Sequence, residues 1–471
     1  MKKWCLLVIG LCLSPWLEAQ PVILDLQKCR DMALENSKKL QAAEQQQQKA
    51  LYEQRSYRAN FLPKISASGL YAYMNKKMDY SIDGGYLPVF KPDASGTLQP
   101  DLLINPETGL PVVGADGNPV FNSYAFMPDI ALELGLRNVY SVGVALEQPV
   151  YMGGKVRSAF KMATVGKEMA ELGVKSSRAE VLIETDEAYW QYVRVRELVK
   201  VAEKYVEVVA ELVKNVTDGV ETGMVSRNDL LKAQVKQNEA ELQLSKAKNG
   251  LKLAGMNLCR VIGVGLDTEL EVRDSLQAEP VSTVLEEGDD IMARPEYNLL
   301  EKQVELKERE VALARADFLP QLGVTAGYGY GDGITLNGES SGVASFTAMA
   351  SLKIPIYYWG EGRNKVKALK AEENMARLQQ EELTQMMQLE MAKARCNVED
   401  ALVRVKMTEK SLGQAEENLQ ESKNRYEVGM EAITDYMEAQ AQWQQAWSDA
   451  IDAKAELRLS ETYYLKAAGR L

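Results

Sequence analysis

Over long stretches the chain places its apolar residues three and four apart. Residues 155–216 are rich in Ala, Glu, Lys and Val, carry Gly166 and Gly173 near their start and contain no proline, so the pattern predicts a single helix. At about 1.5 Å per residue it would reach about 90 Å. Within it Leu198, Ala202, Tyr205, Val209, Leu212 and Val216 alternate three and four apart, the seam of a helix packed against long neighbours. A second tract, 226–261, opens on Ser226 with Asp229 three residues on, a capping-box-like start. The plan repeats over 363–426 and 433–467, and the hairpins turn at glycine-containing loops, 218–223 and near Gly429.

Four segments, about 64–74, 139–150, 321–331 and 345–357, alternate with period two instead, the pattern of strands. Leu322, Val324, Ala326, Tyr328 and Tyr330 form an apolar face against Gly323, Thr325, Gly327 and Gly329. Tyr140, Val142, Val144 and Leu146 oppose Ser141, Gly143, Ala145 and Glu147, while Phe346, Ala348, Ala350, Leu352, Ile354 and Ile356 oppose Thr347, Ser351 and Lys353. The first segment is weaker, because Leu70 falls on its polar face. Each has about the nine to eleven residues needed to cross a bilayer in a barrel. Tyr71, Tyr73, Tyr328 and Tyr330 gather at one set of strand ends, Tyr151 and Tyr357 at the other, like the two aromatic girdles of such barrels. Four strands cannot close a barrel and lipid tolerates no open edge, so several chains are expected to contribute; three would supply about twelve strands.

The chain is also internally duplicated. Ala59-Asn60-Phe61-Leu62-Pro63-Lys64-Ile65 returns as Ala316-Asp317-Phe318-Leu319-Pro320-Gln321-Leu322, an offset of 257 (318 − 61) that also relates Tyr71 to Tyr328 and Tyr73 to Tyr330. Pro149 with Pro355, and Asp229 with Asp435, share an offset of 206 (355 − 149 and 435 − 229), so the first half carries an insertion, about 76–138, rich in Pro, Gly and Asp. Repetition of this kind marks a repeat architecture. The halves are read as 20–280 and 281–471, with helical hairpins over 155–262 and 363–467.

Lys2 and Lys3 precede a short apolar run ending near Ala19, which reads as a secretory signal peptide over 1–19; the run is too short and too interrupted, by Pro15, for a membrane span. Cys12 follows Leu11 rather than a small residue, against acylation, and Cys29, Cys259 and Cys396 are too few for a disulfide framework and are expected to be buried thiols. The net charge of −12 (55 basic, 67 acidic) without a basic cluster argues against nucleic acid, and the absence of histidine removes Ser-His-Asp and Cys-His nucleophiles and His-ligated zinc. Gly338-Glu339-Ser340-Ser341-Gly342 spells a hydrolase elbow but lies between strands, and the glycines of 327–333 precede no helix, so neither has its motif's context. No catalytic, cofactor or metal site is expected.

The Phe-Leu-Pro motif entering a strand, Gln148-Pro149-Val150-Tyr151-Met152-Gly153-Gly154-Lys155 and Ile354-Pro355-Ile356-Tyr357-Tyr358-Trp359-Gly360 leaving one, Arg294-Pro295-Glu296-Tyr297 opening the second half, and residues 426–439 around Asp435 together resemble the TolC family of outer-membrane efflux proteins. The resemblance covers nearly the whole mature chain. It implies a mainly α fold with membrane β: long helical hairpins forming a periplasmic α-barrel, an equatorial belt, and four strands per chain in a trimeric twelve-stranded outer-membrane β-barrel. It implies a passive exit duct in outer-membrane lipid that works with a periplasmic adaptor and an inner-membrane pump of the RND or ABC type, exporting small molecules or polypeptides.

The resemblance further places the hairpin turns at the periplasmic tip and the constricting acids at Asp435 and Glu438, with Asp229 the first-half counterpart of Asp435. Glu431, Asp435 and Glu438 are spaced four and three apart, so they are expected to share one face of a helix. A ring of such carboxylates attracts cations and repels itself, which favours a dilated entrance. Well-known members have an arginine where this chain has Glu431, whereas Tyr426 matches its usual locking partner. Lys232, the counterpart of Glu438 (438 − 206 = 232), is then the candidate ion partner. The insertion is either a surface cap or plug, or a disordered flap. A periplasmic adaptor, expected to have one hairpin flanked by β-rich halves, and a soluble coiled-coil protein, which needs no amphipathic strands, are the rival readings. The lack of histidine and the sparse cysteine argue mildly against a dedicated soft-metal exporter.

Overall fold

The computed structural model describes residues 22–73, 76–276, 285, 290–340 and 342–471; the expected signal peptide and its cleavage point lie outside them. The chain divides into a helical unit, comprising the chain up to residue 57, 157–315 and 360–471, and a strand-rich unit of 58–156 and 316–359.

In chain order the elements are β1 (Val22–Leu24), α1 (Leu26–Asn36), α2 (Lys38–Ala59), β2 (Lys64–Ala72), β3 (Lys76–Ile82), β4 (Gly85–Pro88), β5 (Phe90–Pro92), β6 (Leu98–Pro100), β7 (Tyr124–Met127), β8 (Ile130–Met152), α3 (Lys155–Glu221), α4 (Arg227–Ile262), β9 (Leu270–Val272), α5 (Pro295–Ala316), β10 (Gln321–Leu336), β11 (Glu339–Ser340), β12 (Val343–Lys353), α6 (Glu361–Glu427) and α7 (Ile433–Ala467).

Within the helical unit α3 and α6 each run for 67 residues, about 100 Å of helix. The predicted α3 seam is the one that packs: Tyr205, Val209, Leu212 and Val216 are at most 2% exposed, and only Leu198 of the six is partly open. Each such apolar side chain contributes about 1.5–3 kcal/mol by leaving water. At one level β1 pairs in parallel with β9, and Leu24, Cys29, Tyr189, Val193, Leu258 and Ile262 close a core. Ion pairs join α2 to α3 (Lys39–Glu180), α3 to α5 (Lys302–Glu168) and α5 to α6 (Lys307–Glu372). This orders those helices α2-α3-α5-α6, with α6 at one edge. Cys29 and Cys259 are buried as expected, but Cys396 is exposed. It points away from the α6 face of Ala394, Val398, Ala401 and Val405 that packs on α7.

The strand unit corrects several boundaries. β8 begins at Ile130, not 139, and is 23 residues long, because the alternation continues through Leu132, Leu134 and Leu136. Its second half pairs with β2 and its first with β3, while β10 continues to Leu336 and pairs along nearly all of β8. β12 stops at Lys353 rather than 357; Pro355 has no N–H for a ladder. The insertion is not a flap: β4 pairs with β7, β5 with β6, and Asp93 caps a turn by accepting from the Ser95 and Thr97 amides. Gly333, at φ +101°, takes up the register shift between β8 and β10; a Cβ there would meet the Asn138 carbonyl at 2.5 Å.

Candidate channel wall and hairpin turns

The register of the sheet β12-β10-β8-β2 sorts its residues onto two faces. Leu352 faces Leu322, which faces Tyr151; Phe346, Tyr328, Val144 and Ala67 form one row across all four strands. With Tyr71, Tyr140, Val142, Leu146, Val324, Ala326 and Tyr330 these make one face almost wholly apolar. It is open in the single chain: Phe346 is 71% exposed and Val142 62%. On the other face lie Ser66, Ser68, Ser141, Gly143, Ala145, Glu147, Thr325, Gly327, Gly329, Thr347 and Ser351, with Leu70 and Met349 its large apolar exceptions. Apolar outward and small or polar inward is the composition of a barrel wall around a wet lumen.

The structure moves the girdle tyrosines relative to expectation. Tyr328 and Tyr330 lie in mid-strand, since β10 continues to Leu336. Tyr73 and Tyr357 lie just beyond β2 and β12. Tyr140, not singled out for the girdle, pairs with Tyr71, packs its ring 6.2 Å from that of Tyr330 and donates its hydroxyl to Asp332. From Tyr151, opposite Leu322, to the level of Tyr330 is eight residues, about 27 Å of strand. Tilted by about 40°, that leaves about 20 Å, close to the height of a barrel's apolar band.

The two hairpin turns lie side by side in the helical unit. Leu212, Val216, Ala233, Ile433 and Tyr436 form a shared core, Lys423 on α6 pairs with Glu211 on α3 at 3.1 Å, and the Tyr426 and Tyr436 rings stack at 5.4 Å. Burial pushes both phenols above their usual range. The turns end on Gly223 and Gly429 at φ +77° and +75°, each followed by a strongly exposed methionine, Met224 and Met430.

The acids separate into different environments. Asp229 accepts from Ser226 Oγ at 2.7 Å and Lys232 Nζ at 3.1 Å, and these two bonds, the serine's first, hold its carboxyl below the ordinary range. Lys232 therefore partners Asp229 on its own helix. Glu431 does not share a helical face with Asp435 and Glu438: Ala432 is extended, α7 starts at Ile433, and the Glu431 carboxylate accepts from Ser422 Oγ. Asp435 and Glu438 remain exposed on the first turns of α7. Tyr436 and Ser422 were not foreseen; Tyr436 could have been found from the apolar spacing Ile433-Tyr436-Ala439, while nothing local marks Ser422.

Among the described residues no helix is long and apolar enough to cross a membrane. The model of the outer membrane efflux protein family matches residues 114–264 and 293–470. The chain is 27% identical over 169 residues to the cobalt-zinc-cadmium resistance protein CzcC of Cupriavidus metallidurans, a match covering 36% of this chain and 37% of that protein. It is 20% identical to the outer membrane efflux protein BepC of Brucella suis, over 71% of this chain and 73% of that one. The fold is that of the Campylobacter jejuni CmeC outer membrane channel, with a TM-score of 0.70 at 18% identity over 94% of this chain and 85% of that one. Two-faced strands, long paired helical hairpins and the family match converge, and the chain belongs to the outer membrane efflux protein family, the TolC-like transport conduits of the outer membrane.

Proposed function

We propose that three copies of this chain close into a twelve-stranded barrel and serve as the exit duct of a tripartite efflux or secretion system. The observation that carries this is that β2 and β12, at opposite edges of the sheet, each pair with one strand only among the described residues. Successive strands are antiparallel, so β12 of one copy meets β2 of the next in antiparallel sense and the pattern continues around a ring. An unpaired edge in lipid would leave backbone polar groups unsatisfied at several kcal/mol each (roughly, per group), so closure between copies is the economical solution.

A periplasmic adaptor docks on the two hairpin turns, where Met224 and Met430 stand out as paired apolar knobs, and an inner-membrane pump of the RND or ABC type supplies the energy. Asp435 and Glu438, with Glu431 and Asp229 nearby, line the entrance; Tyr426 and Lys232 restrain it through Tyr436 and Asp229. Because the duct is passive, cargo choice belongs to the pump.

Detergent-purified protein, weighed by light scattering and reconstituted into a planar bilayer, tests the reading. A trimer that conducts with cation preference supports it; a monomer, or a trimer without conductance, rejects it.

A further inference from the structure

The internal duplication repeats a basic pair at the start of both long helices. Arg157 and Lys161 on α3 return as Arg363 and Lys367 on α6, again at an offset of 206 (363 − 157 and 367 − 161), and Lys370 follows on α6. Within each pair the residues are four apart, so they share one helix face about 6 Å apart. All five are exposed, and among the described residues none of them meets an acid or any other acceptor. Their neighbours behave otherwise: Lys155 pairs with Asp317 and Lys302 with Glu168. Nor do these cations serve the helices. Arg157 and Arg363 are the third residues of α3 and α6, where the helix dipole disfavours positive charge. In a chain of net charge −12, unneutralised cations repeated on the opening turns of two helices call for an anion outside the chain.

We propose that the two pairs bind the phosphates of anionic phospholipids in the periplasmic leaflet of the outer membrane. The inference rests on the outer-membrane placement of the strand-rich unit and not on the closure of a trimer. Two observations select lipid over another anion. The α6 pair comes directly after the exposed stretch that follows β12: Ile356 and Trp359 are 91% and 87% exposed, and a bare tryptophan beyond an apolar barrel strand belongs at the lipid headgroups. Arg363 stands four residues after Trp359, at most about 14 Å of chain. The chemistry also fits. A guanidinium and an ammonium one turn apart take a phosphodiester, the arginine in two parallel bonds, and each cation beside a bilayer strengthens its hold on anionic lipid about fivefold.

Trp359 supplies the reporter, because Trp190, Trp443 and Trp447 lie in packed helical cores. The detergent-purified protein is reconstituted into phosphatidylcholine vesicles carrying rising fractions of brominated phosphatidylglycerol or brominated phosphatidylcholine, and tryptophan quenching gives the relative binding of the two lipids. Expected is a preference for phosphatidylglycerol of at least about fivefold, weakened by salt. Arg363→Gln with Lys367→Gln abolishes it, whereas Lys406→Gln with Lys410→Gln, which removes the same charge from exposed positions far along α6, keeps it. Glutamine preserves the helix, and Lys367→Gln alone, with a smaller fall expected, is read should the double variant not insert. Equal quenching by both lipids overturns the site and leaves the membrane placement standing. A preference untouched by the α6 variants, or lost equally in the Lys406 and Lys410 control, also overturns it. Trp359 quenched by neither lipid overturns the placement of the strand ends at the membrane, and the inference with it.

Discussion

Arg30 on α1 grips Asp186 on α3 with two parallel bonds, Nε to Oδ1 at 2.7 Å and Nη2 to Oδ2 at 2.5 Å. Asp186 is wholly buried, and Thr462 on α7 donates its hydroxyl to the same carboxylate at 2.8 Å. One charge thus joins three helices that are remote in sequence. The hydrogen bond from Arg30 also raises the guanidinium pKa against the cost of its burial.

Removing Arg30 leaves that carboxylate buried without its cation. Arg30→Ala is expected to lose about 3–5 kcal/mol, whereas Asp186→Asn, which keeps an acceptor for Thr462 and removes the buried charge, loses less. Denaturant midpoints at matched protein concentration check the order, and equal losses would contradict it.

Burial and the nearby Asp25 carboxylate push the Cys29 thiol from 9.0 up to about 12. An acid with a folded pKa above its unfolded one contributes stability that is complete below the unfolded value and declines as pH rises between the two. Stability is therefore expected to fall from about pH 9 to about pH 12, and Cys29→Ala to flatten that decline. A slope unchanged in the variant would show that other groups cause it.

The sheet faces differ by one residue of register. Ala348→Arg places a charge on the apolar face, which costs about 2–4 kcal/mol where such a face meets the bilayer midplane, while Thr347→Arg places it on the polar face. The first is expected to abolish assembly into outer-membrane vesicles and the second to assemble with altered ion selectivity. The opposite result would invert the wall.

Lys232 neutralises Asp229 beside the hairpin turn. Lys232→Glu replaces attraction with repulsion, and single-channel conductance is expected to rise; an unchanged conductance removes Lys232 from the restraint. Ser226→Ala, which deletes the side-chain cap of α4, is expected to cost about 1 kcal/mol, measurable as faster amide exchange confined to the first turn of α4.

Much of this architecture is legible in one dimension because it is periodic. Three- and four-residue spacing predicts the α3 seam that the structure buries, and two-residue alternation assigns Val142, Tyr328 and Phe346 to one face before any register is known. The duplication is read as directly, from repeated Phe-Leu-Pro and glycine-methionine motifs. These signals are local, set by how side chains project from a helix or a strand.

Contacts between distant elements leave no such trace, and there the tertiary structure decides. The pairing of Arg30 with Asp186 spans 156 residues, and only the sheet shows that the first half of β8 pairs with β3 and β10. Glu431 has helical spacing to Asp435, yet the extended backbone at Ala432 keeps it off the helix and turns it to Ser422. Cys396 looks like any buried thiol until the fold turns that side of α6 outward. Periodicity fixes which residues share a face; only packing determines what each face meets.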